Sequence, residues 1–234
     1  MADFQGWTLD AIIRRNARRF PQKKAVVSRA GILTWSGLDT RVDKVAGALA
    51  AAGLRRGDRV AILLPNCREF IELYMGISRA GMIAVPVNYR LTPKETAAIL
   101  ASAEPQLLVV GADYLATATA LEGLLPGLTR RWLVDGAAGS YETALAAQPA
   151  TVVEAAGGEN DPFAIFFTSG TTGLPKGAVV SHRNLEANGY NQAIADASRG
   201  DDINLVATPL YHMGAVFMAV TYMMLGCTQV ILDR

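Results

Sequence analysis

The sequence predicts an α/β fold: one or more largely parallel sheets flanked by helices. Three observations predict it. The hydrophobic period switches repeatedly between short apolar runs, which suit strands, and stripes at helical spacing. Hydrophobic residues make up 51% of the 234 residues and charged ones 18%, which excludes intrinsic disorder and favours a large core. A chain of this length can bury roughly 70–75% of its unfolded surface, so it folds without disulfides or a structural metal.

The elements follow in order. Thr8 can cap a helix that carries Leu9, Ile12, Ile13 and Phe20 on one side. Ala25–Val27 and Ile32–Trp35 flank Gly31 like two short strands around a turn. Ser36 is expected to open a second helix with the stripe Leu38, Val42, Val45 and Leu49, stopped by Gly53. Val60–Leu64 reads as a buried strand, followed by a helix holding Phe70, Leu73, Tyr74 and Ile77 and closed by Gly81. Ile83–Val87 is another strand. Thr92-Pro93-Lys94-Glu95 is a strong helix start: a hydroxyl cap, proline in the first turn and glutamate three after the cap. Leu107–Val110 and Trp132–Val134 continue the alternation with a helix between them, which implies a parallel sheet covered on both faces. Residues 147–160 lose all period and read as a loop.

Charge narrows the function classes. With 22 basic against 21 acidic residues the net charge is +1, so there is no broad basic field for nucleic acid. Two cysteines, Cys67 and Cys227, make no disulfide framework and have no metal-ligand spacing with the two histidines. The first residues lack the basic-then-apolar run of a secretory signal, and a cytoplasmic protein is expected. Between Ile203 and Leu232 the chain is strongly apolar, but Pro209, His212 and Gly214 divide it. The remaining piece, Ala215–Leu225, falls short of the roughly 20 residues a bilayer demands and reads as a buried helix, not a membrane span.

The chemistry concentrates between Phe163 and Asn184. An apolar run, Phe163–Phe167, enters Thr168-Ser169-Gly170-Thr171-Thr172-Gly173-Leu174-Pro175-Lys176-Gly177, and Ala178–Ser181 resumes a strand. Glycines allow successive backbone amides to converge on an anion. The hydroxyls of Thr168, Ser169, Thr171 and Thr172 add short donors, and Lys176 a mobile point charge suited to phosphate. A lone Gly-Thr-Thr-Gly would be read as a tight turn beside a solvated lysine; ten consecutive residues of this kind make a polyphosphate cradle. It is not a Walker loop, in which glycine directly precedes the lysine and Ser or Thr follows it. The strand is expected to end at Thr168, with Ser169–Gly177 an exposed loop.

This segment resembles the signature phosphate loop of the adenylate-forming superfamily: acyl-CoA synthetases, firefly-luciferase-like enzymes and the adenylation domains of nonribosomal peptide synthetases. Leu33–Leu38, Gly57–Asn66, Arg79–Asn88 and Pro209–Gly214 resemble the family's other blocks in the same order, so the likeness covers essentially the whole chain. The acyl-CoA synthetases are the most similar branch.

The resemblance implies a two-step ligase. A carboxylic acid, fatty or aryl, attacks the α-phosphate of ATP with Mg present, giving acyl-AMP and pyrophosphate; coenzyme A then takes the acyl group. By the same resemblance Thr168 lies near Mg and the phosphates, while Ser169, Gly170, Thr171, Thr172, Gly173 and Lys176 embrace the pyrophosphate end. His212 lines the junction of acyl pocket and adenylate, with Met213 and Gly214 along the acyl wall; the plainer reading of His212 is a core histidine beside a buried helix. Amino-acid-activating members place an aspartate in this motif. No acid occurs between Asp202 and Asp233, which favours a plain carboxylic acid. His182 resembles a family position and serves equally well as a helix-start cap.

The resemblance also places Arg234 near the midpoint of such enzymes. Residues 1–234 are then the amino-terminal portion of an AMP-binding domain. The adenine pocket, the Mg glutamate, the ribose aspartate and a small carboxy-terminal domain with its lysine would be absent, and the chain alone inactive. Pro162–Leu185 contains no Asp or Glu, in keeping with a phosphate cradle separated from its metal carboxylate. The alternative is a stand-alone, non-catalytic nucleotide- or acyl-binding module. A homo-oligomer is compatible with either, and Met213–Leu225 is the expected adhesive patch.

Overall fold

The structure, a computed structural model, describes residues 8–135, 139–149, 157–168 and 175–232. Helix α1 (Leu9–Arg19) starts at Thr8, which has the extended cap geometry but makes no side-chain capping bond. The hairpin β1 (Lys24–Ser28) and β2 (Gly31–Thr34) turns at Gly31, whose φ of +117° suits glycine alone. Helix α2 (Trp35–Ala51) begins one residue earlier than expected. Thr34, not Ser36, is its cap: the Gly37 N–H donates to the Thr34 hydroxyl at 3.1 Å.

The next alternation is β3 (Arg59–Leu63), α3 (Arg68–Arg79), β4 (Ile83–Pro86) and α4 (Pro93–Ala103). The start of α4 is the expected capping box, closed by Thr92 and Glu95 in both directions. Then follow β5 (Leu107–Gly111), α5 (Leu115–Leu124), β6 (Arg131–Val134) and a short α6 (Ser140–Ala146). The long hairpin β7 (Pro162–Thr168) and β8 (Lys176–Ser181) leads into α7 (His182–Ala195). The apolar stretch after residue 202 holds two strands as well as the expected helix: β9 (Ile203–Val206), α8 (Met213–Met224) and β10 (Thr228–Ile231).

The strands form two sheets. One has the order β2-β1-β10-β9, the other β6-β5-β3-β4-β7-β8. Both are parallel apart from their hairpins, β1–β2 and β7–β8. In the six-stranded sheet the central strands β3, β4 and β5 are buried on both faces, while most of β8 is exposed. Val60 and Ile62 of β3 join a cluster with Trp35, Phe70, Phe163 and Val216 that runs through the helices to Val26 of the smaller sheet. Their neighbours Ala61 and Leu63 face the other way, against Ala97 and Leu100 of α4 and Leu121 of α5.

The smaller sheet buries one face. On the other, the registers align Ile32, Val27, Val230 and Leu205 in a row across all four strands, and Ile32, Leu205 and nearby Ile203 are exposed. Helix α8 does not form the adhesive patch expected of Met213–Leu225. Ala215, Val216, Ala219, Val220 and Met223 are buried, because the helix packs on β9, β10 and α7. The exposed apolar row on the sheet is the better candidate for such a patch. Among the described residues no helix is long and apolar enough to cross a membrane.

Candidate active site at the carboxyl edge of the large sheet

In the six-stranded sheet β3, β4, β5 and β7 run parallel, so the segments that follow them emerge on one edge. Two connections leave neighbouring strands in opposite senses. After β3 the chain enters α3, on the face of the large cluster; after β4 it enters α4, on the opposite face. Adjacent strands whose helices diverge in this way open a crevice at their carboxyl ends, where open α/β sheets receive ligands.

The described flanks of the hydroxyl- and glycine-rich segment, Thr168 and Lys176, lie at the same edge. Thr168 is the last residue of β7 and lies exposed. Lys176 is not in the loop, as expected, but is the first residue of β8, with Gly177 the second. Cross-strand pairing extends further than composition suggests, and Thr168 and Lys176 are register partners. Gly177 has a packing reason to be glycine. A Cβ there would meet Ile165 Cγ2 at 2.8 Å and the Phe167 ring at 3.1 Å, so both side chains can lie across β8 only in its absence. Ser169, Gly170, Thr171, Thr172 and Gly173 lie outside the described residues.

His212, Met213 and Gly214 are exposed at the start of α8, with His212 in the cap position but making no side-chain capping bond. The core-histidine reading of His212 is therefore wrong: its ring is at the surface. Tyr211, by contrast, is buried, and the two rings lie 4.3 Å apart. Tyr89, which follows β4, meets Tyr211 edge to face at 5.1 Å and Tyr114 at 5.3 Å. Burial pushes the phenols of Tyr114 and Tyr211 up, so both stay protonated and neutral near pH 7.

His182 is a different kind of histidine. It is buried at the first turn of α7, where Ser181 and Asn184, not His182, form the capping box. Its Nδ1 accepts from the Leu9 N–H at 3.3 Å, and its ring stands edge-on to Phe163 at 5.5 Å. Burial lowers its pKa to about 4, against weaker opposing pulls from Asp10 and Asp161. It sits inside the fold, tying α7 to α1.

Sequence reasoning did not single out Asn66, Tyr89 or Tyr114, which emerge from β3, β4 and β5 at this edge. The available signal was positional: each closely follows a wholly apolar strand in a parallel sheet, where ligand-facing loops begin. A cavity of about 610 Å³, lined by Leu100, Glu104, Pro105, Leu125 and Arg130 among others, lies instead toward the amino ends of β5 and β6. Among the described residues no group of three His, Cys, Asp or Glu side chains could hold a metal.

The carboxyl edge of a parallel α/β sheet is where proteins of this class receive their ligands, and the β7–β8 hairpin with Thr168 and Lys176 stands at that edge. The chain belongs to the AMP-binding enzyme family, whose model matches residues 13–234. It is 32% identical over 228 residues to the long-chain-fatty-acid–CoA ligase FadD13 of Mycobacterium tuberculosis, covering 95% of this chain and 44% of that protein. It is 33% identical over 210 residues to the crotonobetaine/carnitine–CoA ligase of Salmonella paratyphi A, covering 86% and 41%. An inhibitor-bound N-terminal domain of FACL13 from Mycobacterium tuberculosis superposes with a TM-score of 0.91 at 27% identity, covering 97% of this chain and 57% of that one. The chain thus spans less than half the length of the curated relatives it matches.

Proposed function

We propose that the whole protein is an acid–thiol ligase that joins a carboxylic acid to coenzyme A at the expense of ATP. In the first step a carboxylate oxygen bonds to the α-phosphorus of ATP and the bond to the pyrophosphate oxygen breaks, giving acyl-AMP and pyrophosphate. In the second a thiol sulfur bonds to the acyl carbon, AMP departs, and the thiol proton goes to solvent. Family membership supports the reading, and the relatives' names, a long-chain fatty acid and a crotonobetaine/carnitine CoA ligase, agree with it. The observation that carries it is the hairpin of Thr168 and Lys176 at the carboxyl edge of the large sheet.

In this reading Ser169–Gly173 and Lys176 hold the pyrophosphate end of the nucleotide. Charge stabilisation of the departing phosphates is the main demand of such a step, and backbone amides with one lysine meet it without covalent help. A magnesium ion carried by the phosphates would find one neutral protein oxygen here, the Thr168 hydroxyl, and would take its remaining oxygens from phosphate and water. His212, Met213 and Gly214 line the path of the acyl group. The lack of any acid between Asp202 and Asp233 fits a substrate without an ammonium group. The small carboxy-terminal domain, a cytoplasmic location and the inactivity of residues 1–234 alone belong to the same proposal.

Acid-dependent exchange of pyrophosphate into ATP by the whole protein tests it, across straight-chain, aryl and amino acids, with hydroxylamine to trap the acyl group. Exchange and hydroxamate with a plain acid are expected. Nucleotide binding without exchange for any acid would favour a non-catalytic binding module.

A further inference from the structure

The chain's own segment from Val206 to Tyr211, on its way from β9 in the small sheet to α8, lies against the loops that follow β3 and β4, where those strands diverge. Two loops hold it there. From the end of β4, Tyr89 packs edge-on against the Tyr211 ring. From the end of β3, Asn66 reaches the backbone: its Oδ1 accepts from the Leu210 N–H at 2.7 Å, and its Nδ2 donates to the carbonyls of Thr208 at 3.0 Å and Val206 at 3.5 Å. All three partners are backbone groups of fixed polarity, so a side chain here must offer a donor and an acceptor on one planar fork. Asparagine does so at this reach.

A fourth bond completes the clamp. The Tyr74 hydroxyl, from α3, donates to the Leu210 carbonyl at 2.8 Å, with its ring stacked between Phe70 and Phe163. Asn66 is 5% exposed and Leu210 1%, so the two bonds to Leu210 form out of water, where a lost partner leaves a costly unsatisfied amide. Immediately beyond the clamped residue the chain surfaces: Tyr211 is 6% exposed, while His212 is exposed at the start of α8. The His212 N–H bonds to the Pro209 carbonyl at 3.0 Å, and its own carbonyl accepts from Ala215 at 3.1 Å. The position of the imidazole is therefore inherited from the turn that Asn66 and Tyr74 fix.

We propose that Asn66, seconded by Tyr74, is a positioning residue for the adenylation step. It holds the backbone of Val206–Leu210 at the divergence of β3 and β4 so that His212 stands at the rim of the site. The proposal rests on the role given above to His212. It assigns to Asn66 no contact with substrate, only with the segment that carries His212.

The test is a double-mutant cycle in the whole protein. Asn66→Ala is expected to lower kcat/KM for the acid in pyrophosphate exchange about 10- to 100-fold, since misplacement by about 1 Å can cost that much. Tyr74→Phe keeps the stacked ring and is expected to cost about 3- to 10-fold, the worth of one hydrogen bond. KM for ATP should hold within about twofold. Introduced into His212→Ala, each change should cost less than about twofold more, because residues acting through one group are not additive. Asn66→Asp keeps the acceptor for Leu210 but turns oxygen against two carbonyls, and is expected to behave like Asn66→Ala.

Amide exchange over residues 205–212 gives a readout independent of activity. It should quicken at least about tenfold in Asn66→Ala while β3 and β4 stay protected. Full multiplication of costs in the His212→Ala background overturns the proposal, as does a silent His212→Ala beside a costly Asn66→Ala. Unchanged exchange at Leu210 overturns the clamp itself. If Asn66→Ala does not fold, Tyr74→Phe and Asn66→Asp decide by the same criteria. Absence of pyrophosphate exchange in the wild-type protein would sink the ligase reading and the catalytic half of this one, leaving the amide measurement to judge the clamp.

Discussion

The Nδ1 of His182 accepts a hydrogen bond from the backbone N–H of Leu9 at 3.3 Å, across 173 residues of chain. It joins the first turn of α1 to the first turn of α7, just beyond the β7–β8 hairpin. Because Nδ1 is the acceptor, the ring must be neutral with its proton on Nε2. Protonation would set an N–H against an N–H inside the core.

That geometry fixes the sign of a pH effect. The folded state refuses the proton until about pH 4, whereas an unfolded histidine takes it up near 6.5. The folded-state value is depressed, so the stabilisation is complete above about pH 6.5 and is lost as pH falls toward 4. It amounts to roughly 3 kcal/mol. Urea midpoints of the chain and of His182→Ala, compared from pH 7.5 to 4.5, isolate this contribution from other acid-labile groups. The gap between the two proteins should narrow as pH falls; parallel curves would count against the assignment.

Arg79 is the most deeply buried cation among the described residues, and three carboxylates surround it. It lies 2.8 Å from Asp43, 2.7 Å from Asp39 and 3.4 Å from Asp10, and thereby links α1, α2 and α3. Asp10 also accepts from the Ser78 hydroxyl at 2.9 Å. Arg14 also reaches Asp43 at 2.7 Å and Asp39 at 3.8 Å, but removing Arg79 leaves the buried Asp10 carboxylate without its cation and the other two with half of theirs, and breaking a buried pair typically costs about 3–5 kcal/mol. Arg79→Met should lower the urea midpoint accordingly, or prevent folding. A loss below about 1 kcal/mol would mean that Arg14, already paired with Asp43, and water suffice to hold the three carboxylates.

Much of the fold was legible in the sequence, and the misses have physical causes. β3, β4 and β5 were readable because each is a wholly apolar run bounded by turn residues, the pattern of a strand covered on both faces. β9 and β10 were not, because four-residue strands within a continuously apolar stretch carry no period that separates them from a buried helix. α6, at seven residues, is too short to show a stripe. Lys176 was placed in the loop because loop composition continues through Gly177, whereas its strand pairing to Thr168 is a cross-strand property. Asn66 has no local signature, and the helix-start position of His182 points to a cap, whereas its buried ring bonds to α1: their partners lie 140 to 173 residues away. Residues near in space but remote in sequence are what composition and spacing cannot reveal.

Gly76 offers a test of the α2–α3 crossing. An added Cβ would collide with the Cγ1 and Cβ of Val45 and come within 3.4 Å of the Val42 carbonyl. Alanine favours a helix over glycine by up to about 1 kcal/mol, but overpacking a tight crossing costs about 1–3 kcal/mol. Gly76→Ala should therefore destabilise, and it should cost less in a Val45→Gly background, which lacks both clashing carbons. An equal cost in the two backgrounds, measured by thermal unfolding, would mean that the helices do not approach this closely.

The last prediction concerns Lys176 in the whole protein. It is exposed at the start of β8 opposite Thr168, on the hairpin whose hydroxyls and glycines suit phosphate oxygens. A point charge there does most where negative charge builds up during reaction, on the departing pyrophosphate. Lys176→Ala should slow acyl-adenylate formation by roughly 100-fold, the usual cost of one such donor. Binding of the carboxylic acid should change little. The fold should be unaffected, since an exposed lysine at a strand end contributes little to stability. Pyrophosphate exchange at saturating acid and ATP, beside direct binding of the acid, separates the two effects. Equal exchange rates for the two proteins would remove Lys176 from the chemistry, and a matching loss of acid binding would move its role to the ground state.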